Sequence, residues 1–213
     1  MREGSLMVWG VIAQFSPLAA ACVTKPGIRR IDHLVYVGDL VAELGAHPEL
    51  WNEFDLRTNH PQSPHRELSD IFVRYNAREN FTGDRHAFNE PHDAVWWPVV
   101  DKLPSVKQIV FDLMRHVEGE RLGMVLITKI PAGATCYPHK DEGWHARHYD
   151  KYAVQLASAP GQAFHVDGVP LSAEPGECYF FDNSRSHWVE NNSDEDRLTM
   201  IVCIRNRFTG AGA

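Results

Sequence analysis

Six short runs of strand-forming residues fill the C-terminal half of the chain with no helical periodicity between them. They lie at 122–130, 152–157, 163–167, 177–182, 187–191 and 197–205. β-branched and aromatic side chains dominate them, as half-buried strands require. Pro131-Ala132-Gly133, Ala159-Pro160-Gly161, Glu174-Pro175-Gly176, Asp182-Asn183-Ser184 and Asn192-Ser193-Asp194 punctuate them, and such residues favour tight turns. Strands this short, with no helix to carry a crossover, pair antiparallel and fold into two facing sheets. The sequence therefore predicts a mainly β fold with flanking helices, a double-stranded β-helix (jelly-roll, cupin-like) core.

Upstream the texture differs. Leu40, Val41 and Leu44 share one face of a predicted short helix within 39–51. Pro104 and Ser105 start a second helix over 105–117, whose Val106, Ile109, Val110, Leu113, Met114 and Val117 form a continuous apolar stripe suited to bracing a sheet. The stretch 59–98 is rich in His, Asn, Pro and charge, and reads as long loops over a rigid scaffold, with one strand-like run at Ile71-Phe72-Val73-Arg74.

A chain of 213 residues is expected to form one domain, 1–213, with a mixed portion at 23–119 and the jelly-roll core at 120–208. Residues 1–22 are a flexible or targeting segment in this reading. The apolar stretch 6–22 loosely imitates a secretion signal, but Glu3, Gln14, Pro17 and Ala19 weigh against it. The formal net charge of -7, with both signs interspersed, provides no footprint for nucleic acid or an anionic membrane. Cys22, Cys136, Cys178 and Cys203 show no paired spacing, which suits buried thiols in a reducing, cytoplasmic setting.

Chemistry concentrates in the β-rich half. In extended backbone, residues i and i+2 point to the same side, so His139 and Asp141 can grip one ion. His187 opens a later strand and can return opposite them. Two imidazoles and one carboxylate make a facial triad that leaves open positions on Fe(II) for a chelating keto acid and dioxygen. Arg197 begins an apolar strand, where an inward guanidinium needs a carboxylate. The distal carboxylate of 2-oxoglutarate is the candidate; Asp194, Glu195 or Asp196 are the bland alternative partners.

With these residues in view, the chain resembles the aspartyl/asparaginyl/prolyl β-hydroxylase-like family of Fe(II)/2-oxoglutarate-dependent oxygenases. The resemblance rests on Ile130-Pro-Ala-Gly-Ala-Thr-Cys-Tyr-Pro-His-Lys-Asp141, on Glu174-Pro-Gly-Glu-Cys-Tyr-Phe-Phe-Asp-Asn-Ser-Arg-Ser-His-Trp-Val-Glu-Asn191, and on Arg197-Leu-Thr-Met-Ile-Val202, and covers about 103–205. It implies a dioxygenase that hydroxylates an amino-acid side chain, in a free amino acid or a peptide, while decarboxylating 2-oxoglutarate to succinate. It matches His139, Asp141 and His187 to the metal motif and Arg197 to the co-substrate arginine. Many relatives carry Arg-x-His on the strand after the first metal motif, where this chain has Ala153 and Gln155. Gln155 is expected to hydrogen-bond a carboxylate in its place, with Lys151 adding positive charge.

Two rival readings remain at this level: a metal-dependent cupin dioxygenase that uses no keto acid, and a metal-free jelly-roll binding module. His145 and His148 are alternative ligands, within a 144–151 run expected to loop beside the metal. His60, His65, His86, His92 and Arg74 are expected mainly at the surface or in packing, and Trp96 and Trp97 in the core or a lid.

Overall fold

The computed structural model describes residues 27–206. Its strands are β1 (Ile28–Leu34), β2 (Ser69–Tyr75), β3 (Val95–Trp96), β4 (Gly119–Ile130), β5 (Thr135–His139), β6 (Asp150–Ala157), β7 (Gln162–Val166), β8 (Val169–Leu171), β9 (Glu177–Phe181), β10 (His187–Asn191) and β11 (Arg197–Asn206). Helices α1 (Gly38–Ala46), α2 (Arg85–Phe88), α3 (Ser105–His116) and α4 (Gly143–His148) complete it, with short 3-10 turns. The strands form a seven-stranded sheet, β1-β9-β6-β11-β4-β2-β3, and a four-stranded sheet, β5-β10-β7-β8, with every pairing antiparallel. The jelly-roll core expected from the sequence is present.

Three layers follow from the two-residue period of strands. On one face of the large sheet, Tyr152, Val154 and Leu156 of β6, Phe180 of β9 and Met200, Val202 and Ile204 of β11 pack against α1 and α3. The stripe of α3 is the reason that helix exists here: Val106, Ile109, Val110 and Leu113 are all buried, each contributing about 1.5–3 kcal/mol of apolar burial. The alternate residues turn inward, where Ala153, Tyr179 and Phe181 meet Phe164, Val166 and Val189 of the small sheet. Lys151, Gln155, Arg197 and Thr199 have this same parity, so period 2 alone aims them between the sheets.

Two expectations need correction. The stretch 59–98 is less loop-like than expected: its strand-like run 71–74 belongs to a longer strand, β2, which hydrogen-bonds to β4 inside the large sheet and is buried on both faces. Its Phe72 and Tyr75 join Phe88 and Trp97 in an aromatic cluster, placing Trp97 in the core. The run 144–151 is not a loop either: it is most of α4 followed by the start of β6. The segment 1–22, with Cys22, lies outside the described residues. Among those described, Cys136, Cys178 and Cys203 are buried, and no helix is long and apolar enough to cross a membrane.

Candidate active site

The turn at Pro131-Ala132-Gly133 reverses the chain from β4 into β5, and Gly133 adopts φ +73°, a left-handed conformation that glycine takes without penalty. The register of β5 against β10 shifts between His187 and Val189, so Pro138 falls in an irregular part of the ladder, where a residue without an N–H is tolerated. Register then places His139 directly opposite His187 on β10. Their rings lie 4.3 Å apart between centroids. Asp141 lies two residues beyond the end of β5, its backbone N–H donating to the Asn183 carbonyl at 2.9 Å.

One ligand atom from each of His139, Asp141 and His187 lies within 4.8 Å of the others. The Nε2 atoms of His139 and His187 stand 3.7 and 3.9 Å from the two Asp141 carboxylate oxygens. Neither contact is a hydrogen bond. Each imidazole places Nδ1 against a backbone carbonyl, Tyr137 for His139 at 2.8 Å and Arg185 for His187 at 2.9 Å. A carbonyl can only accept, so Nδ1 carries the proton and a neutral ring keeps the Nε2 lone pair facing Asp141. Burial, then repulsion from His187, pushes His139 down to about 4, and burial also lowers His187. Burial alone would raise the Asp141 carboxyl, but the Lys151 ammonium hydrogen-bonded to its Oδ2 holds it well below the usual carboxylate range. Two neutral nitrogen donors and one carboxylate thus converge with no proton between them, a donor set suited to a divalent cation.

A second group, His65, Cys136 and His139, is equally compact. It shares His139 with the first group, and burial pushes its thiol up to about 12. His145 and His148 belong to neither group. His145 packs on Tyr149 at 4.6 Å, pushed down to about 3 by burial, while His148 Nε2 lies 3.1 Å from Arg205 Nη1.

Behind the triad, a cavity of about 510 Å³ including its mouth runs between the sheets, with Arg197 and Thr199 in its lining. Arg197 is 3% exposed. Its guanidinium donates to Thr199 Oγ1 at 2.5 Å, Gln155 Oε1 at 2.7 Å and Tyr179 Oη at 3.1 Å. All three acceptors are neutral, and among the described residues no carboxylate pairs with it. Asp196 instead accepts from the Ala132 N–H at 3.3 Å. A buried cation without a counter-charge is costly unless a ligand supplies one.

Gln155 has a different place from the one its sequence position suggests. It is fully buried and does not line the cavity; its amide donates to the Ala157 and Leu198 carbonyls, which turns Oε1 onto Arg197. Lys151 lines the cavity, beside Asp141. Sequence reasoning missed Tyr179 and Thr199 as acceptors for Arg197, although the i, i+2 relation of Arg197 and Thr199 was available. It also missed Arg57 and understated His65, whose ring lies 4.6 Å from His139. Both residues line this cavity and the open groove outside it.

A family model described as aspartyl/asparaginyl beta-hydroxylase matches residues 42–207. Among solved structures, the fold is similar to an oxidoreductase of the 2OG-Fe(II) oxygenase family from Burkholderia pseudomallei. The TM-score is 0.55 at 11% identity, over 84% of each chain. It is also similar to a Trichoplax adhaerens prolyl hydroxylase in complex with a hypoxia inducible factor oxygen degradation domain peptide fragment. There the TM-score is 0.52 at 11% identity, covering 87% of this chain and 86% of the other. No curated protein matches the chain by sequence.

Proposed function

From the premise that the chain belongs to the aspartyl/asparaginyl beta-hydroxylase family, we propose that it is an Fe(II)- and 2-oxoglutarate-dependent dioxygenase. It hydroxylates an amino-acid side chain and converts 2-oxoglutarate to succinate. The observation that carries this reading is the pairing of two features in one cavity: proton-free donors converging at His139, Asp141 and His187, and a buried, uncompensated guanidinium at Arg197.

In this reading His139, Asp141 and His187 hold Fe(II), which when bound supplies the positions for keto-acid chelation and dioxygen activation. Arg197 takes the distal carboxylate of 2-oxoglutarate in its planar fork. Gln155, Tyr179 and Thr199 orient that fork. Lys151 holds one oxygen of Asp141 and places positive charge beside the co-substrate. Phe164, Phe181, Ile130 and Val189 line the intervening space and exclude water from it. A cupin dioxygenase without a keto acid leaves Arg197 unexplained, and a metal-free binding module leaves the facing lone pairs unexplained.

Anaerobic titration of the apo-protein with Fe(II) and then 2-oxoglutarate tests the reading. The weak visible band of keto-acid chelation is expected to appear, and to be absent from His139→Ala. In Arg197→Ala the midpoint for 2-oxoglutarate is expected to rise about 100-fold while iron affinity holds. Iron binding with no band at any 2-oxoglutarate concentration would overturn it.

A further inference from the structure

His139 belongs to two compact donor groups, and the iron reading uses only one of them. The other joins it to His65 and Cys136, with one ligand atom from each of the three within 4.8 Å of the others, and all three line the cavity behind the triad. The fold holds this trio from two sides. Cys136 lies on β5 opposite Val189 of β10 and is buried. His65 sits in a turn before β2, where its backbone N–H donates to Ser63 Oγ at 3.1 Å and its carbonyl accepts from the Leu68 N–H at 3.0 Å. The Tyr137 N–H donates to the Pro64 carbonyl at 2.9 Å, which ties that turn to the residue after Cys136.

Neither ring nitrogen of His65 is hydrogen-bonded among the described residues, in contrast to His139 and His187, each fixed by a backbone carbonyl. Its ring instead stands edge-on to that of His139. The Cys136 sulfur likewise has no hydrogen-bond partner among the described residues. Around a tetrahedral zinc ion, nitrogen and sulfur ligands lie about 3.3–3.6 Å apart, which small side-chain rotations reach from the separations present. Of the cations lining the cavity, Arg57 is paired with Asp70 and Lys151 with Asp141, so an incoming ion meets little of their charge. A thiolate with two imidazoles selects a softer ion than a carboxylate with two imidazoles, Zn(II) over Fe(II).

We propose that His65, Cys136 and His139 form a second metal site, for a thiophilic divalent ion such as Zn(II), and that an ion held there excludes the iron. The exclusion follows from His139: a neutral imidazole with Nδ1–H on the Tyr137 carbonyl keeps one lone pair, which serves one ion at a time. On binding, the Cys136 S–H bond breaks, the sulfur donates the freed electron pair to the ion and the proton leaves to solvent, with no change of oxidation state. The site stands on its donors alone; its effect, shutting off hydroxylation, rests on the oxygenase reading.

Co(II) is the probe, because thiolate ligation produces an intense near-ultraviolet charge-transfer band that imidazole and carboxylate ligands do not. Titration of reduced apo-protein is expected to develop this band at one ion per chain. The band is expected in His187→Ala as well, which breaks the triad alone, and to be lost in folded Cys136→Ser. His65→Gln, outside the apolar clusters, is expected to weaken band-forming Co(II) binding at least about tenfold. Both Cys136→Ser and His65→Gln are expected to keep the keto-acid band on Fe(II) protein. With Fe(II), 2-oxoglutarate and Co(II) together, total metal is expected to stay at one ion per chain, one band rising as the other falls. Co(II) bound without the charge-transfer band would overturn the site, as would a band undiminished in Cys136→Ser or His65→Gln. Two ions in one chain, with both bands at full strength, would overturn the exclusion. A thiolate band in protein that never shows the keto-acid band would sink the oxygenase reading alone.

Discussion

Two arginines face one cavity on opposite terms. Arg57 is clamped by the carboxylate of Asp70, whereas Arg197, more deeply buried, is held only by the neutral oxygens of Gln155, Tyr179 and Thr199. The first arrangement produces a fixed donor whose charge is cancelled within the fold. The second preserves the charge for a ligand, and the fold bears the desolvation cost until that ligand arrives. The same side chain thus serves two purposes, and the acceptors around it set which one.

Removing each guanidinium should therefore change stability unequally. Arg57→Met leaves the Asp70 carboxylate buried and unpaired, and is expected to lower unfolding free energy by about 3–5 kcal/mol. Arg197→Met takes away a buried cation that has no counter-charge, and is expected to leave stability within about 1 kcal/mol of wild type or above it. Urea unfolding of both variants, without metal or co-substrate, reads the difference. Equal losses would mean that Arg197 is paired in the fold after all, and the contrast would fail.

A sharper version converts one arginine into the likeness of the other. Gln155→Glu places a carboxylate at 2.7 Å from Arg197 and gives it the kind of partner that Arg57 has. Affinity for 2-oxoglutarate is expected to fall about 100-fold, since the distal carboxylate then meets a neutralised guanidinium and a like charge, while Fe(II) affinity is retained. Calorimetric titration under anaerobic conditions measures both. Undiminished 2-oxoglutarate binding would place the keto acid elsewhere in the cavity.

How legible these arrangements were in the sequence depends on the range of the interaction that makes them. His187 and Arg197 open β10 and β11 as anticipated, because both strands lie between turn residues and alternate in hydrophobicity. Strand parity then sends Arg197, Thr199, Lys151 and Gln155 inward without any knowledge of the tertiary fold. The partner of Gln155 was not legible: an amide can donate and accept, and only the carbonyls of Ala157 and Leu198 decide which way it turns. Nor was the Arg57–Asp70 pair. The run Ile71-Phe72-Val73 is continuously apolar because β2 is buried on both faces, and it read as a strand, but its pairing with β4 joins residues about fifty to sixty apart, which no local pattern shows. His65 likewise carries no local signal, since only the fold brings its ring against His139.

The smallest expected effect separates orientation from charge. Thr199→Val removes one acceptor from Arg197 with little change of shape and leaves Gln155 and Tyr179 in contact with the guanidinium. If charge carries most of the interaction, 2-oxoglutarate affinity should fall only about threefold, the scale of a single neutral hydrogen bond. Thr199→Ser keeps the hydroxyl and should restore it. The same titration, extended to glutarate, which keeps both carboxylates and lacks the keto group, should show an equal loss, because the fault lies at the distal carboxylate and not at the metal. A loss for 2-oxoglutarate that glutarate does not share would assign Thr199 to the chelating end of the co-substrate, and would make the ring of neutral acceptors a support for the metal site rather than for Arg197.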